Sequence, residues 1–264
     1  MAAASGVRTG EIMNEQAIQE AKARGGTYRL LSVAFLYPDG ALVSGLKEGL
    51  TEVKAILPHL SDGEAAGLKE ALTVISSKDL SLDALRDEYR QTFGHTISQE
   101  CPPYETQYGS AHLFQQAQGL GDIAGFYRVF GLEVSDRAKE RLDHIAVELE
   151  FMGFLAFKEA YALTHHGEEK ASICRDAQRK FLEEHLARWA PLFAELLSRK
   201  APEGLYRHLA SCLGAFLTAE CQRLGARPFA FHEGDLKPIA LEPEGACFSC
   251  GVKDLSCPEP TGGE

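Results

Sequence analysis

The sequence lacks the features of a membrane protein or a nucleic-acid-binding protein. Its longest apolar runs, at residues 30–37 and 212–219, are far shorter than the roughly 20 residues that a membrane-spanning helix needs. Lys and Arg together number 27 against 38 Asp and Glu, so the formal net charge is -11. No dense basic stripe is available to neutralise phosphates. We therefore expect no membrane span and no nucleic-acid partner.

Targeting signals and a disulfide framework are also missing. Residues 1–10 contain no apolar run of the kind found in secretory signals, and no two arginines are adjacent anywhere in the sequence. Seven cysteines are an odd number for a secreted fold, and a chain of 264 residues can bury a core without disulfides. These observations predict a cytoplasmic protein whose cysteines are free thiols or metal ligands.

Signatures of the common enzyme classes are absent as well. None of the nine histidines has a Glu three residues before it, as a di-iron carboxylate bundle requires, and no His-Glu-x-x-His zinc motif occurs. The sequence contains neither a Gly-Lys-Ser/Thr phosphate loop nor a glycine-rich dinucleotide motif that follows a strand. We therefore expect a binding protein and not an enzyme.

The pattern that is present is helical. Apolar residues recur at three- and four-residue steps along most of the chain, and no alternating strand pattern of useful length occurs. Short connections between such helices favour an all-α bundle in a single domain. We expect a flexible N-terminus at 1–13 and a helical domain at 14–227. Its main helices are predicted at 14–36, 82–93, 107–117, 136–164, 168–199 and from about Pro202 onwards.

The composition changes after Arg227. The last 37 residues contain five of the eleven prolines and seven acidic residues, so we expect an irregular tail at 228–264 that cannot order itself unaided. Within it, Cys247 and Cys250 form a Cys-x-x-Cys pair, and Cys257 follows. This spacing predicts a zinc or iron–sulfur centre that would need a fourth ligand, and the alternative is incidental thiols in a flexible segment.

The predicted helix at 136–164 carries several charged residues away from its apolar stripe. On an ideal helix Asp143 and Glu150 lie on one face, and His144 and Glu148 share another at positions i and i+4. Three carboxylates in this arrangement suit the binding of arginine, whose guanidinium group a carboxylate can bind through two hydrogen bonds. The alternative from spacing alone is an ordinary solvated helix face.

Three segments occur in a distinctive order between residues 101 and 155. A Tyr-Glu pair follows two prolines, an Ala-x-Phe-Tyr-x-x-Phe-Gly segment comes next, and an Asp-His pair precedes acidic residues. With the later segments at 185–189 and 206–209, these motifs resemble the TorD/DmsD/NarJ family of maturation chaperones. The resemblance extends over about residues 28–225. One departure is Leu142, which stands where the family usually has a proline, so we expect the helix to run on through the Asp-His pair.

The resemblance implies an all-α chaperone for the catalytic subunit of a molybdenum-dependent oxidoreductase. Such a protein would bind the leader peptide and the apo form of its partner and delay export until the cofactor is inserted. It would need no cofactor itself and would contact the partner's molybdenum cofactor only transiently. The residues implied in partner binding are Tyr104, Glu105, Asp122, Phe126, Tyr127, Asp143, His144, Glu148 and Glu150.

Two alternatives remain open at the level of the sequence. The aromatic residues of the middle segment, including Phe126, Tyr127 and Phe130, are equally consistent with a place in the hydrophobic core. The alternative function is that of a small metal- or iron–sulfur-binding redox accessory protein, which would use the C-terminal cysteines.

Overall fold

The described part of the chain is entirely helical in its regular structure. The computed structural model describes residues 2–40, 43–45, 48–49, 69, 73, 81–94, 98, 100–109, 113–135 and 140–236. Within these ranges there are seven α-helices and no β-strand, which confirms the predicted all-α class. The helices are α1 (Ala2–Ala34), α2 (Leu82–Phe93), α3 (Leu113–Val129), α4 (Ile145–His165), α5 (Glu168–Phe181), α6 (Ala187–Lys200) and α7 (Leu205–Leu224). Every described helix falls short of the length and apolarity that crossing a membrane requires.

Helix α4 lies at the centre of the molecule because apolar residues surround most of its circumference. Leu149, Met152 and Leu155 are fully buried, and α1 packs closely along the helix. Gly153 makes this close approach possible. A Cβ atom at position 153 would lie 3.2 Å from the Cβ of Tyr28 and 3.3 Å from the carbonyl oxygen of Gly25, which is tighter than ordinary contact.

A buried arginine connects four helices. Arg24 of α1 donates to Glu220 of α7 (Nε to Oε1, 2.6 Å) and to Glu159 of α4 (Nη1 to Oε2, 3.0 Å), and it also donates to Gln178 of α5. Arg24 is 2% exposed and Glu220 is not exposed at all. Burial acts to lower the pKa of Arg24, but Glu220 and Glu159 outweigh it and hold the pKa above its ordinary value. The guanidinium group therefore stays charged inside the bundle.

Helices α5 and α6 form one long helical segment that a single π-helical turn interrupts. This turn spans Leu182–Leu186, and it carries His185 into the interior. It comes shortly before Pro191, which lies inside α6 and has no N–H for the helical ladder. Isolated π turns are frequently found at functional positions. The predicted helix at 168–199 is thus confirmed in extent, with an irregularity that periodicity did not reveal.

Three helix boundaries differ from the prediction. Helix α4 begins at Ile145 and not near residue 136, because His144 has an extended backbone conformation (φ -76°, ψ 140°) and caps the helix. Thus the helix does not run on through the Asp-His pair, although Leu142 replaces the proline. Helix α3 runs from Leu113 to Val129, well beyond its predicted end at residue 117. Helix α1 begins at Ala2, within the segment that was expected to be flexible.

The C-terminal cysteine cluster lies outside the described residues. The structure describes the chain up to Leu236, so Cys247, Cys250 and Cys257 are not among the residues whose surroundings are known. Within the described ranges, no three His, Cys, Asp or Glu side chains are arranged to hold a metal ion. The metal centre of the tail stays a prediction.

Replacing the buried arginine should destabilise the fold strongly. Arg24→Met would leave Glu159 and Glu220 buried without their shared cation, and removing one partner of a buried ionic network costs about 3–5 kcal/mol. Arg199→Met is a suitable control, because Arg199 is half exposed and its ion pairs with Glu195 and Glu233 lie at the surface, where such pairs contribute about 0–1 kcal/mol. Urea unfolding measures both variants, and similar losses in the two would contradict a central role for Arg24.

Candidate partner-binding site

A loop and a turn pair with each other at the start of helix α4. The loop is residues 101–109, and the turn is residues 140–144. The backbone N–H of Glu105 donates to the carbonyl of Asp143 (2.9 Å), and the N–H of Ile145 donates to the carbonyl of Pro103 (2.9 Å). Pro102 and Pro103 keep the loop out of helical conformations, so its backbone is free to make these contacts. The Tyr-Glu and Asp-His motifs are thereby brought side by side.

The loop is also held from its other side by the last described residues. Gly109 donates its N–H to the carbonyl of Asp235 (2.8 Å), and Tyr108 forms an isolated antiparallel bridge with Leu236. Gly109 has φ +89°, and a Cβ atom there would lie 2.9 Å from the ring of Phe231. Both the backbone conformation and the space require glycine at this position.

The Asp143 carboxylate is buried, and both of its oxygens accept hydrogen bonds from residues of the same chain. It accepts hydrogen bonds from the backbone N–H and the hydroxyl of Thr106 (3.2 and 2.7 Å). The guanidinium of Arg141 binds it through two further hydrogen bonds (Nε to Oδ1, 3.0 Å, and Nη2 to Oδ2, 2.8 Å). The sequence predicted an exposed carboxylate ready for an arginine of the partner. That expectation of exposure is wrong, because an arginine of the same chain already occupies the carboxylate.

His144 is buried as well, and it has a structural part in helix α4. Its Nδ1 accepts the backbone N–H of Ala146 (3.2 Å), so the imidazole serves as the N-cap of the helix. Burial and the neighbouring Arg141 lower the pKa of His144 to about 4. A neutral ring with an unprotonated Nδ1 is the form that can cap the helix.

Side chains of the turn and the loop form a small surface cluster above His144. The Arg141 guanidinium lies over the ring of Tyr104, 4.9 Å from its centroid. The Tyr104 hydroxyl donates to Glu140 (3.3 Å), and burial raises the pKa of that carboxyl. Arg141 itself is exposed at the edge of the site. This part of the site therefore presents a cation to solvent, with the half-buried ring of Tyr104 beneath it.

The two glutamates of the predicted site lie in the interior. Both carboxylate oxygens of Glu105 are 3.2 Å from Nδ1 of His185, and Glu148 accepts the indole N–H of Trp189 (3.1 Å). Glu148 has no exposed surface, and burial followed by the nearby Glu105 raises its pKa well above the ordinary value. The expected placement of Glu148 on a solvated face is wrong, because its side chain is buried and accepts the indole N–H of Trp189 from α6.

Next to the turn, the aromatic residues line an open groove of about 330 Å³. Its wall is apolar, and two exposed carboxylates, Glu133 and Glu150, lie along it. The Tyr127 hydroxyl donates to the carbonyl of Leu142 (2.9 Å), which fixes the groove to the turn. The apolar residues that line it are Tyr127, Leu132, Val134, Val147, Phe151 and Phe154.

The predicted aromatic and acidic residues therefore separate into different environments. Phe126 is half buried against the rings of Phe181 and His185, away from the groove residues. Asp122 is exposed on helix α3, one turn before Phe126, and is not a helix cap. Of the predicted carboxylates, only Asp122 and Glu150 are exposed, and only Glu150 lies in the groove.

Several residues of the site were missed by reasoning from the sequence. Arg141 and Thr106 complete the surroundings of Asp143, and Glu133 accompanies Glu150 in the groove. The short spacing between Arg141 and Asp143 was a usable signal, since the two are only two positions apart. Thr106 and Glu133 gave no signal, because their contacts depend on how the loop and the end of α3 fold back.

Comparison with known proteins places this site within a family. A sequence profile of the nitrate reductase delta subunit family matches residues 57–195, just over half of the chain. The chain belongs to the nitrate reductase delta subunit family. The matched range includes the loop, the turn, the groove and the His185–Trp189 segment.

Individual relatives agree with this assignment. The perchlorate reductase assembly chaperone protein of Dechloromonas aromatica is 28% identical over 222 residues, which cover 80% of this chain and 96% of that protein. The selenate reductase assembly chaperone protein of Thauera selenatis is 35% identical over 106 residues, 40% of this chain and 53% of its own length. Chaperone protein TorD of Vibrio cholerae is 27% identical over 173 residues, 63% and 76% of the two chains. These relatives confirm the resemblance to the TorD/NarJ maturation chaperones.

The cap formed by His144 should make the free energy of unfolding of this protein sensitive to acid. The unfolded chain binds a proton on this histidine near pH 6.5, whereas the folded protein does so only near pH 4. Stability is therefore retained above about pH 6.5 and falls as the pH drops to about 4, by up to roughly 3 kcal/mol. His144→Asn keeps a capping acceptor without titrating. Unfolding free energies of both proteins between these pH values should diverge, and parallel curves would contradict this assignment.

The buried carboxylate of Asp143 should contribute more to the free energy of unfolding than an exposed carboxylate does. Asp143→Asn loses the doubly hydrogen-bonded contact with Arg141 and weakens the one with Thr106, which we expect to cost about 2 kcal/mol. Asp122→Asn, on the exposed side of α3, should change the free energy of unfolding by less than about 0.5 kcal/mol. Denaturant unfolding compares the two. A stability loss no larger for Asp143→Asn than for Asp122→Asn would show that the buried network is dispensable.

Proposed function

We propose that this protein is a cytoplasmic assembly chaperone for the catalytic subunit of a molybdenum-dependent oxidoreductase. It would act by binding the leader peptide and the apo form of that subunit before export, and not by catalysis. Family membership and relatives named as assembly chaperones of perchlorate and selenate reductases support the general function. The observation that carries the finer proposal is the apolar groove with two exposed carboxylates on its wall.

The groove has the chemistry that a twin-arginine leader needs. Phe154, with Leu132, Val134 and Val147, provides a partly exposed apolar surface for the hydrophobic segment of a leader. The buried rings of Tyr127 and Phe151 form the floor of the groove. The carboxylates of Glu150 and Glu133 are exposed and available to its arginines. A leader lying in the groove would place its arginines near the start of helix α4.

The buried residues of the family motif would act by positioning this surface. Asp143 and His144 fix the turn and the first helical turn of α4, from which Glu150 and Val147 project into the groove. Glu105 and Glu148 hold the loop and α4 against the interior. We propose that Tyr127 and Glu150 contact the partner directly, and that Asp143, His144, Glu105 and Glu148 support that contact without making it.

The partner-binding residues outside the groove remain part of the proposal. Tyr104, together with Arg141, forms an exposed surface beside the turn, and Phe126 and Asp122 mark one side of helix α3. A partner larger than a peptide, such as the apo catalytic subunit, would be expected to extend over these surfaces. The overall charge of -11 favours approach of a basic segment over an acidic one.

A peptide-binding measurement tests the groove. A synthetic peptide with two adjacent arginines followed by an apolar segment should bind the full chain in calorimetry. Glu150→Gln should weaken that binding about tenfold, roughly 1.4 kcal/mol, because the carboxylate loses its charge. The thermal midpoint should stay unchanged, since Glu150 is exposed.

Two controls make the result specific. Glu195→Gln removes an exposed carboxylate of helix α6 that does not line the groove, and it should leave the affinity unchanged. A peptide with lysines in place of the arginines should bind more weakly, because lysine does not form the paired hydrogen bonds of a guanidinium group. Equal affinity of the arginine peptide for the wild type and Glu150→Gln would exclude the groove as the binding site. Failure of the wild type to bind it would exclude leader recognition.

A further inference from the structure

Glu105, Glu148, His185 and Trp189 form a buried polar cluster that joins four parts of the fold. Glu105 comes from the loop at 101–109, Glu148 from helix α4, His185 from the π turn and Trp189 from helix α6. None of these residues is more than 8% exposed, and Glu148 and Trp189 are not exposed at all. In the proposed function this cluster only supports the partner-binding surface. Two carboxyl groups lie close together in it, and whether both are charged is a separate question.

The hydrogen bonds of Glu148 fit a neutral carboxyl group better than a carboxylate. Its Oε2 accepts the indole N–H of Trp189 (3.1 Å). Its Oε1 is buried and has no hydrogen-bond partner among the described residues. A buried carboxylate with one unsatisfied oxygen is strongly unfavourable, whereas a protonated carboxyl group carries no charge and needs fewer hydrogen-bond donors around it.

The groups that face Glu148 strengthen this conclusion. The nearest charges are negative, because Glu105 lies across from it and Asp143 lies in the turn beside it. Each of these carboxylates already has its own partner, His185 for Glu105 and Arg141 for Asp143. Helix α6 contributes the neutral indole of Trp189.

The remaining titratable neighbour is Tyr127 of helix α3. Its phenol donates to the carbonyl of Leu142 (2.9 Å) and does not neutralise Glu148. Burial and the nearby Glu148 raise the pKa of Tyr127 well above its ordinary value. Burial, followed by Glu105, likewise raises the pKa of Glu148, while the hydrogen bond from Trp189 acts in the opposite direction. Of Glu148 and Tyr127, Glu148 is the stronger acid by its ordinary pKa, so it is placed to lose its proton before Tyr127 as the pH rises.

We propose that Glu148 is a pH-dependent switch, in which one proton keeps the loop at 101–109 docked on helix α4 and the π turn. Loss of that proton to solvent adds a second negative charge beside Glu105, where Glu148 has no exposed surface and no cation of its own among the described residues. The repulsion is relieved when the loop moves away, because Glu105 is the loop's buried charged contact with the interior. The loop also pairs with the turn at 140–144, so its release loosens the start of α4.

The sign of the effect follows from the direction of the shift. An unfolded Glu loses its proton near pH 4.3, and the folded Glu148 loses it only at a higher pH. Between these values the folded state binds more protons than the unfolded state, so stability falls as the pH rises through that window. The contribution of the neutral carboxyl is complete below about pH 4.3 and is lost above the folded value. This behaviour requires no partner and does not depend on leader binding.

The single tryptophan of the chain provides a direct measurement. Trp189 is the only tryptophan, and its indole N–H donates to the carboxyl in question. Its fluorescence, recorded from about pH 4 to about pH 10, should show a transition above the ordinary value for Glu. Glu148→Gln retains an uncharged group of the same shape and should abolish the transition. Glu105→Gln removes the repelling charge, so the transition should move to lower pH by roughly one unit.

The controls separate the switch from general titration of the protein. Glu184→Gln changes an exposed carboxylate in the same π turn as His185 and should leave the transition at its wild-type pH. A transition of equal midpoint in Glu148→Gln would assign it to another group and overturn the proposal. An unmoved midpoint in Glu105→Gln would do the same.

Hydrogen exchange of the wild type provides a test that needs no variant, in case Glu148→Gln or Glu105→Gln does not fold. Exchange of the amides at 101–109, corrected for intrinsic rates, should accelerate at least tenfold above the fluorescence transition. Amides of α1 that face α4 serve as the reference and should keep their protection. Unchanged protection of 101–109 across the transition, or equal acceleration in α1, would overturn the assignment of the switch to the loop.

Discussion

The contact on which the arrangement of helices depends is the buried guanidinium of Arg24. One side chain bonds to residues of three other helices, so α1, α4, α5 and α7 are held in a single relative geometry. A guanidinium group suits this place because it carries several N–H donors in one plane and stays charged when buried. Its burial is costly, and the carboxylates of Glu159 and Glu220 offset that cost. An apolar core alone would allow these helices to slide along one another more readily.

The bundle in turn provides a firm base for an irregular segment. The loop at 101–109 contains two prolines and one short 3-10 turn, so it cannot satisfy its own backbone. It is fixed instead by pairing with the turn at 140–144 and by side chains of the π turn beneath it. The motif residues that characterise the family are concentrated in these contacts. Their burial indicates that much of the motif preserves the shape of this region.

The charged residues also divide into buried ones, which serve the fold, and exposed ones. Two groups of interior carboxylates are compensated within the chain, Asp143 by Arg141, and Glu159 and Glu220 by Arg24. At Glu148, burial raises the pKa of the carboxyl group instead. The proposed attraction of a basic partner would therefore depend on exposed carboxylates such as Glu133 and Glu150. A count of acidic residues overstates the charge that a partner would encounter near the turn, where Arg141 is the exposed group.

The sequence by itself determined the class of the fold, the family and the approximate extent of most described helices, because helical periodicity and proline or glycine breaks are local properties. The order of the motifs was sufficient to identify the family. Which charged residues are exposed was decided only by the tertiary structure. Asp143, His144 and Glu148 look solvated on a helical wheel, yet the helix begins after His144 and the loop covers all three. The partners Thr106 and Trp189 lie on other segments, and contacts between distant segments leave no periodic signal in a single sequence.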